Sequence, residues 1–272
     1  MKQNQRYYKV INMCKALRVS KSGYYKYKNR IPNQAKLELV QTIKKCFKQH
    51  KGRSGAKKLH VDIKSVSSAT IGRYMSKLGL KAKNRSKFKV KSAKSSYNAP
   101  NILNRQFTAS KPNQKWVSDI TYLRVDNTWQ YLCVIIDLYS RKVIAWKLRT
   151  HMHTSLVIDT LTQALSNRTF TNLKDLILHS DRGSQYTSLE FTHYLNSKNI
   201  IHSLSRPANC WDNAVAESFF KSLKSELLTN QTWSSQRMQQ ELFEYIDIDY
   251  NSKRYHSYLN YLTPNNFEHS RV

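Results

Sequence analysis

The chain has 272 residues, 40% of them hydrophobic, and a formal net charge of +29 from 46 basic and 17 acidic side chains. The charge is lopsided: residues 1–98 hold 27 Lys/Arg and 2 Asp/Glu, while residues 99–272 hold 19 and 15. A merely solubilising surface mixes both signs, so a basic front half joined to a nearly balanced module points to a polyanion-binding arm. Cys14, Cys46, Cys133 and Cys210 lack zinc-ligand spacing. No apolar run reaches the roughly 18 residues of a membrane span and no secretory h-region opens the chain, so the expected location is the cytoplasm.

Val10, Met13, Cys14 and Leu17 recur at i, i+3, i+4 and i+7, a helical stripe. Ser20 or Ser22 can cap a second helix, in which Tyr24, Tyr25 and Tyr27 sit among lysines. Residues 1–33 thus read as a helix-turn-helix. A second is expected over 34–80: a helix at 34–49, another starting between Gly52 and His60, and a third capped by Ser67 or Ser68 and stopped at Gly79. From 81 to 111 the reading is a basic linker. Lys81, Lys83, Arg85, Lys87, Lys89 and Lys91 fall on alternate positions, one side of an extended chain.

The pattern then turns to strands, at Gln114–Leu123, Trp129–Asp137 and Val143–Leu148. Helix Thr154–Ser166, strand Asp175–His179, helix Leu189–Ser197, strand Ile200–Leu204 and helix Asn213–Leu228 follow. This order predicts an α/β module over 112–230, a mixed five-stranded sheet with flanking helices matching an RNase H-like fold. Residues 231–272 are expected to form a C-terminal helix and tail packed on that core.

Three acids stand out. Asp119 lies inside a strand, where Asp is disfavoured. Asp181 ends a buried run. Glu217 lies on the last long helix, with Asn213, Lys221 and Lys224 on its face and Val215, Phe219, Leu223 and Leu227 on the apolar face. Three close carboxylates repel by roughly 4 kcal/mol per pair at intermediate dielectric. A cluster of them therefore implies cations, and two Mg2+ about 4 Å apart serve phosphoryl transfer. Competing readings stay open for each alone: an edge residue for Asp119, a turn former for Asp181, a solvated i,i+4 pair with Lys221 for Glu217. Asp137 is a rival first-strand acid, better suited to a hairpin turn, and Asp212 or Asn213 can cap the last helix. His202, His256 and Trp211 read as packing residues more than site residues.

The chain resembles the second-frame (OrfB) transposases of the IS-three family of bacterial insertion sequences, within the retroviral-integrase-like DDE superfamily. The resemblance rests on Trp116 to Tyr122, His179 to Ser188 and Asn209 to Leu223, with Asn101 to Phe107 ahead of them. Leu17 to Tyr25, Tyr250 to His256 and Leu262-Thr263-Pro264 extend it over nearly the whole chain. Ala208 and Trp211 depart from a common glycine and tyrosine without removing a ligand.

By that resemblance Asp119, Asp181 and Glu217 match the catalytic triad, holding two Mg2+ with Mn2+ as a substitute, and Lys224 matches a basic position near the substrate end. The implied activity is strand cleavage at an element end, freeing a 3′-OH that attacks another phosphodiester, through a circular intermediate. The implied partners are double-stranded DNA (terminal inverted repeats and target), the first-frame (OrfA) product or a fusion to it, and further copies of the chain on DNA. Nucleoid association in a bacterial cytoplasm goes with these. Lys221, Lys224, Arg182, Lys21, Tyr24, Lys83, Arg85, Lys87 and Lys89 are the expected DNA contacts. A DNA-binding repressor with an inactive core and an RNase H-like nuclease without strand transfer are the alternatives.

Overall fold

The computed structural model describes residues 4–29, 34–83, 99–168, 173, 175–207, 209–228 and 233–270. The chain forms two compact units, Met1–Lys81 and Ala82–Val272.

In the first unit the helical stripe becomes α1, Val10–Ala16, with Met13 and Cys14 buried. Next, α2, Lys21–Lys28, is capped by Ser20, whose hydroxyl accepts from Gly23 N. Helices α3 (Gln34–Gln49), α4 (Ala56–Asp62) and α5 (Ser68–Lys77) bury Ile43, Leu59, Ile63, Ile71 and Met75 together. The fourth helix starts at Ala56, within the expected Gly52–His60 stretch. Gly52, at φ +70°, closes α3 by donating to Phe47 O at 3.0 Å. Ser67 caps α5. Gly79, at φ +67°, ends it with paired bonds from Leu80 N to Met75 O and from Gly79 N to Ser76 O. Of the alternating basic stretch, Arg85, Lys87, Lys89 and Lys91 lie outside the described residues.

The second unit is built on a five-stranded sheet. Strands β1 (Lys115–Val125), β2 (Thr128–Asp137) and β3 (Val143–Arg149) form an antiparallel meander. Helix α6 (Thr154–Ser166) leads to β4 (Ile177–Ser180), and α7 (Leu189–Ser197) to β5 (Ile201–Leu204). The spatial order is β3-β2-β1-β4-β5, with β4 parallel to both neighbours. This is the mixed sheet of an RNase H-like fold. The first hairpin runs further than anticipated, because Asp126 and Asn127 both take positive φ (46° and 60°) and make a two-residue turn. Asp137 has the hairpin role: its carboxylate accepts from Tyr139 N at 3.0 Å and Asn113 N at 2.9 Å.

Both faces of the sheet are covered, which explains the unbroken apolar run of β2. Cys133 and Ile135 face α6 and α7. Leu132, Val134 and Ile136 face α8 (Ala214–Leu227) and the C-terminal segment. That segment comprises α9 (Ser235–Phe243), a wider π-helical continuation (Glu244–Lys253) and α10 (Pro264–His269). Asn251 covers edge strand β3, its amide exchanging bonds with Val143 N and O at 3.0 and 2.9 Å. A buried ion pair ties the same segment to α8. Arg254 Nη1 meets Glu226 Oε2 at 2.6 Å, and Tyr245 donates to that oxygen at 3.1 Å.

Removing one partner of a buried pair strands the other in a dry site. Glu226→Ala is therefore expected to lower stability by about 3–5 kcal/mol, read as a shift in the midpoint of chemical denaturation.

Candidate active site

The parallel pairing of β1 with β4 sets Trp116 level with Leu178 and Val117 level with His179. Carried on by two residues, that register brings Asp119 level with Asp181, on one face of the sheet because side chains alternate with period two. Each carboxylate is oriented by one backbone amide. Asp119 Oδ1 accepts from Ile120 N at 2.8 Å and Asp181 Oδ1 from Gly183 N at 2.9 Å. A Cβ at Gly183 would come within 3.1 Å of Asp181 Oδ1 and 3.2 Å of Gln185 Oε1, so a glycine suits this turn. Neither Oδ2 has a hydrogen-bond partner among the described residues.

Electrostatics link Asp119 to the other two acids. Burial pushes Asp119 well above the usual carboxylate range; Asp181 and then Glu217 push it further, while Lys224 opposes them. Burial likewise raises Asp181, against the bond from Gly183. Glu217, one turn into α8, is raised by burial and lowered by Lys221. The fold thus brings Asp181 up to Asp119 and keeps Glu217 close enough to act on Asp119. Among the described residues no three His, Cys, Asp or Glu side chains stand close enough to share one ion.

The residues behind the acids hold them still. Tyr186, 1% exposed, meets Ser118 Oγ at 2.8 Å, and Ser118 Oγ donates to Val134 O at 3.0 Å, fixing β1 one residue before Asp119. His179 sits between Ser203 Oγ (2.9 Å) and Ser205 Oγ (3.1 Å), and burial lowers its pKa to about 4. It is therefore neutral and structural at physiological pH. His202, also lowered to about 4 by burial, stacks edge-on against Phe191. His256 stacks on Tyr250.

The expected DNA contacts divide. Lys21 is exposed at the start of α2. Tyr24 is not available as expected: it is the buried residue of α2 and its hydroxyl accepts from Gln5. Arg182 donates inward, to Ser205 O at 2.7 Å and Ala99 O at 3.3 Å, because the chain turns back here and presents carbonyls to it. Lys83 donates to Glu226 O at 2.9 Å. Lys221 is half-buried beside Glu217. Lys224 lies 4.7 Å over the Tyr122 ring, its ammonium disfavoured by burial and favoured by Asp119. Arg85, Lys87 and Lys89 are outside the described residues.

Two residues that the sequence offers as helix caps take other roles. Asn213 is the N-cap of α8 by position, but its side chain makes no cap bond and donates instead to Ser118 O at 3.2 Å. Asp212 is buried and anchors Arg105 and Arg206. Arg206, six residues before Asp212, was the available signal, yet only the fold brings Arg105 to the same carboxylate.

The donor set suits a hard divalent cation. Two carboxylates are crowded in a low-dielectric site, each with one oxygen oriented and the other open, and their mutual repulsion is relieved by positive charge.

An integrase core domain family matches residues 109–210, and a second model of the same description matches residues 198–264. Transposase InsF for insertion sequence IS3A of Escherichia coli (strain K12) is 36% identical over 285 aligned positions, spanning 100% of this chain and 98% of that protein. The transposase of insertion sequence element IS904 from Lactococcus lactis subsp. lactis (strain IL1403) is 38% identical over 250, spanning 88% of this chain and 98% of the relative. Among solved structures, the simian T-cell lymphotropic virus intasome in complex with PP2A regulatory subunit B56 gamma superposes with a TM-score of 0.49 at 19% identity, covering 85% of this chain and 76% of that one. Fold and core family together define a DDE polynucleotidyl transferase of the integrase class. Within that class the chain belongs to the IS3 family of insertion-sequence transposases, and its activity is DNA transposition. Among the described residues no helix is long and apolar enough to cross a membrane.

An acid whose pKa is raised by folding keeps its proton longer than in the unfolded chain. Stability therefore falls as pH climbs from the ordinary carboxylate range through the raised value. In metal-free buffer Asp119→Asn is expected to raise the unfolding temperature at about pH 7, and the gain is expected to vanish near about pH 4, where the wild-type acid is also neutral. Scanning calorimetry across that range measures it.

Proposed function

We propose that Asp119, Asp181 and Glu217 are the catalytic acids of the transposition reaction. The observation that carries this is the β1–β4 register, which draws two buried carboxylates together, Asp119 being raised further by Asp181 and by Glu217. Asp119 and Asp181 would hold divalent cations, Mg2+ or Mn2+ in its place, with Glu217 completing a second position. When bound, the cations supply Lewis-acid stabilisation of charge on the phosphodiester. The protein's own groups orient and exclude water. Ile120 N and Gly183 N fix the carboxylates, the Tyr186–Ser118 bond stiffens the strand beneath them, and Lys224 offsets their charge. The nucleophile is water in cleavage and a DNA 3′-OH in joining, so no covalent protein intermediate is needed.

The basic first unit, read as two helix-turn-helix segments over 1–33 and 34–80, binds the terminal inverted repeats through Lys21 and its neighbours. In the linker read over 81–111, the basic stretch Lys81 to Lys91 follows the phosphate backbone, while Leu103 and Phe107 pack on the catalytic module. The catalytic module over 112–230 and the tail over 231–272 carry the chemistry. The protein works as an oligomer on DNA with the first-frame product or a fusion to it, at the nucleoid of a bacterial cytoplasm. The +25 balance of residues 1–98 supports the DNA-binding part of this reading.

With end-containing duplex and Mg2+, the wild-type chain is expected to yield both nicked and joined products. Asp181→Asn and Glu217→Gln are each expected to lose activity by about 10²–10³-fold or more while remaining folded. Cleavage without joined products would instead indicate a nuclease, and full activity in either variant would remove that residue from the assignment. End binding should weaken steeply with salt, and Lys21→Ala should reduce the log–log salt slope by about one, measured by fluorescence anisotropy.

A further inference from the structure

The segment joining β5 to α8 is bonded at its two ends to the residues just before the two aspartates. Ser205 donates from N and Oγ to Ser180 O at 2.9 and 3.2 Å, next to Asp181. Asn213 Nδ2 donates to Ser118 O, next to Asp119. The segment is therefore tied at both ends to the stretches of chain that carry the two aspartates.

On it sits a cationic cluster with a fixed geometry. Asp212, whose side chain is 0% exposed, accepts from Arg206 at Nε (2.9 Å), Nη2 (2.8 Å) and the backbone N (3.0 Å). It also accepts from Arg105 Nε and Asn101 Nδ2, both at 2.8 Å. Arg105 Nη2 donates to Asn209 Oδ1 at 2.9 Å. Two guanidiniums share one carboxylate, so the cluster keeps a net positive charge. Both arginines remain well exposed, at 44% and 48%, and neither Nη1 has a partner among the described residues. Next to Asp212 stands Trp211, 69% exposed. An indole left in water contributes little to a core. Beside pre-oriented guanidiniums it supplies the other half of what a nucleic-acid strand needs, a ring for a base and forks for a phosphate.

We infer that this segment, together with Arg105, is a strand-binding site: Arg105 and Arg206 hold a phosphate of the DNA strand flanking the scissile bond, and Trp211 stacks on an unpaired base beside it. The inference rests on the reading of Asp119 and Asp181 as the catalytic acids. Asp212 acts here as a positioning residue. It presents the arginines as a rigid pair, lowering the ordering cost of phosphate binding.

The test uses the full chain without divalent metal, so that binding is read apart from cleavage. One duplex carries 2-aminopurine at an unpaired nucleotide beside the element-end cleavage position; a second carries it in the target strand. The wild type quenches the probe in at least one arm, and the quenching arm identifies the strand that occupies the site. Trp211→Ala abolishes that quenching and weakens binding about tenfold, the order that stacking one base supplies, while Trp211→Phe keeps most of both. Arg206→Lys leaves a cation on Asp212 but removes the fork, and weakens binding with quenching retained. Absence of quenching in both arms, or wild-type behaviour of Trp211→Ala, overturns the inference. If quenching holds but Asp181→Asn cleaves like the wild type in Mg2+, the catalytic assignment fails separately.

Discussion

Two like charges forced together in a poorly solvated place set the terms for the rest of this molecule. The parallel register of β1 and β4 leaves Asp119 and Asp181 no choice but proximity, and burial raises the cost of ionising both. A fold keeps such an arrangement only if the strands beneath cannot slip. Here β1 is held on one side by a long antiparallel ladder with β2 and from below by Tyr186 through Ser118. A one-residue slip of β4 would turn Asp181 to the opposite face of the sheet and dissolve the site.

The same logic extends outward. The β5–α8 segment is bonded to Ser180 and Ser118, so the third acid, Glu217, starts from a helix whose first turn is referenced to both aspartates. The C-terminal segment then clamps α8 from its far side. Met238, Leu242, Tyr245, Ile246 and Tyr250 share a core with Phe219 and Leu223, and Arg254 neutralises the buried Glu226. The tail is thus part of the structure that locates the site. Charge is distributed unevenly: residues 1–98 hold 27 of the 46 basic and 2 of the 17 acidic side chains, so this half can draw in a polyanion.

Elements with strong periodicity were legible without coordinates. Helices Thr154–Ser166 and Leu189–Ser197 have the bounds read from the sequence, the second capped by Ser188. The strand order follows from alternating runs and turns. The boundary that differed lay where turn residues' backbone state decided it, at Asp126-Asn127. Side-chain assignments were less legible. Tyr24 looks like a DNA contact among lysines and is a core residue; Asp212 looks like a cap and is an ion-pair anchor.

By itself the sequence determined which residue types are present, the period of each segment and the asymmetry of charge, because these are local properties of the chain. From them follow the α/β layer order, a basic first unit, and three acids in unusual contexts. Tertiary structure alone decided that the β1–β4 register draws Asp181 towards Asp119, that Glu217 acts on Asp119 without joining a three-ligand set, and that Arg105 reaches a carboxylate 107 residues away. The physical reason is that strand register and long-range ion pairing depend on which surfaces meet when the core closes, and no local spacing carries that information.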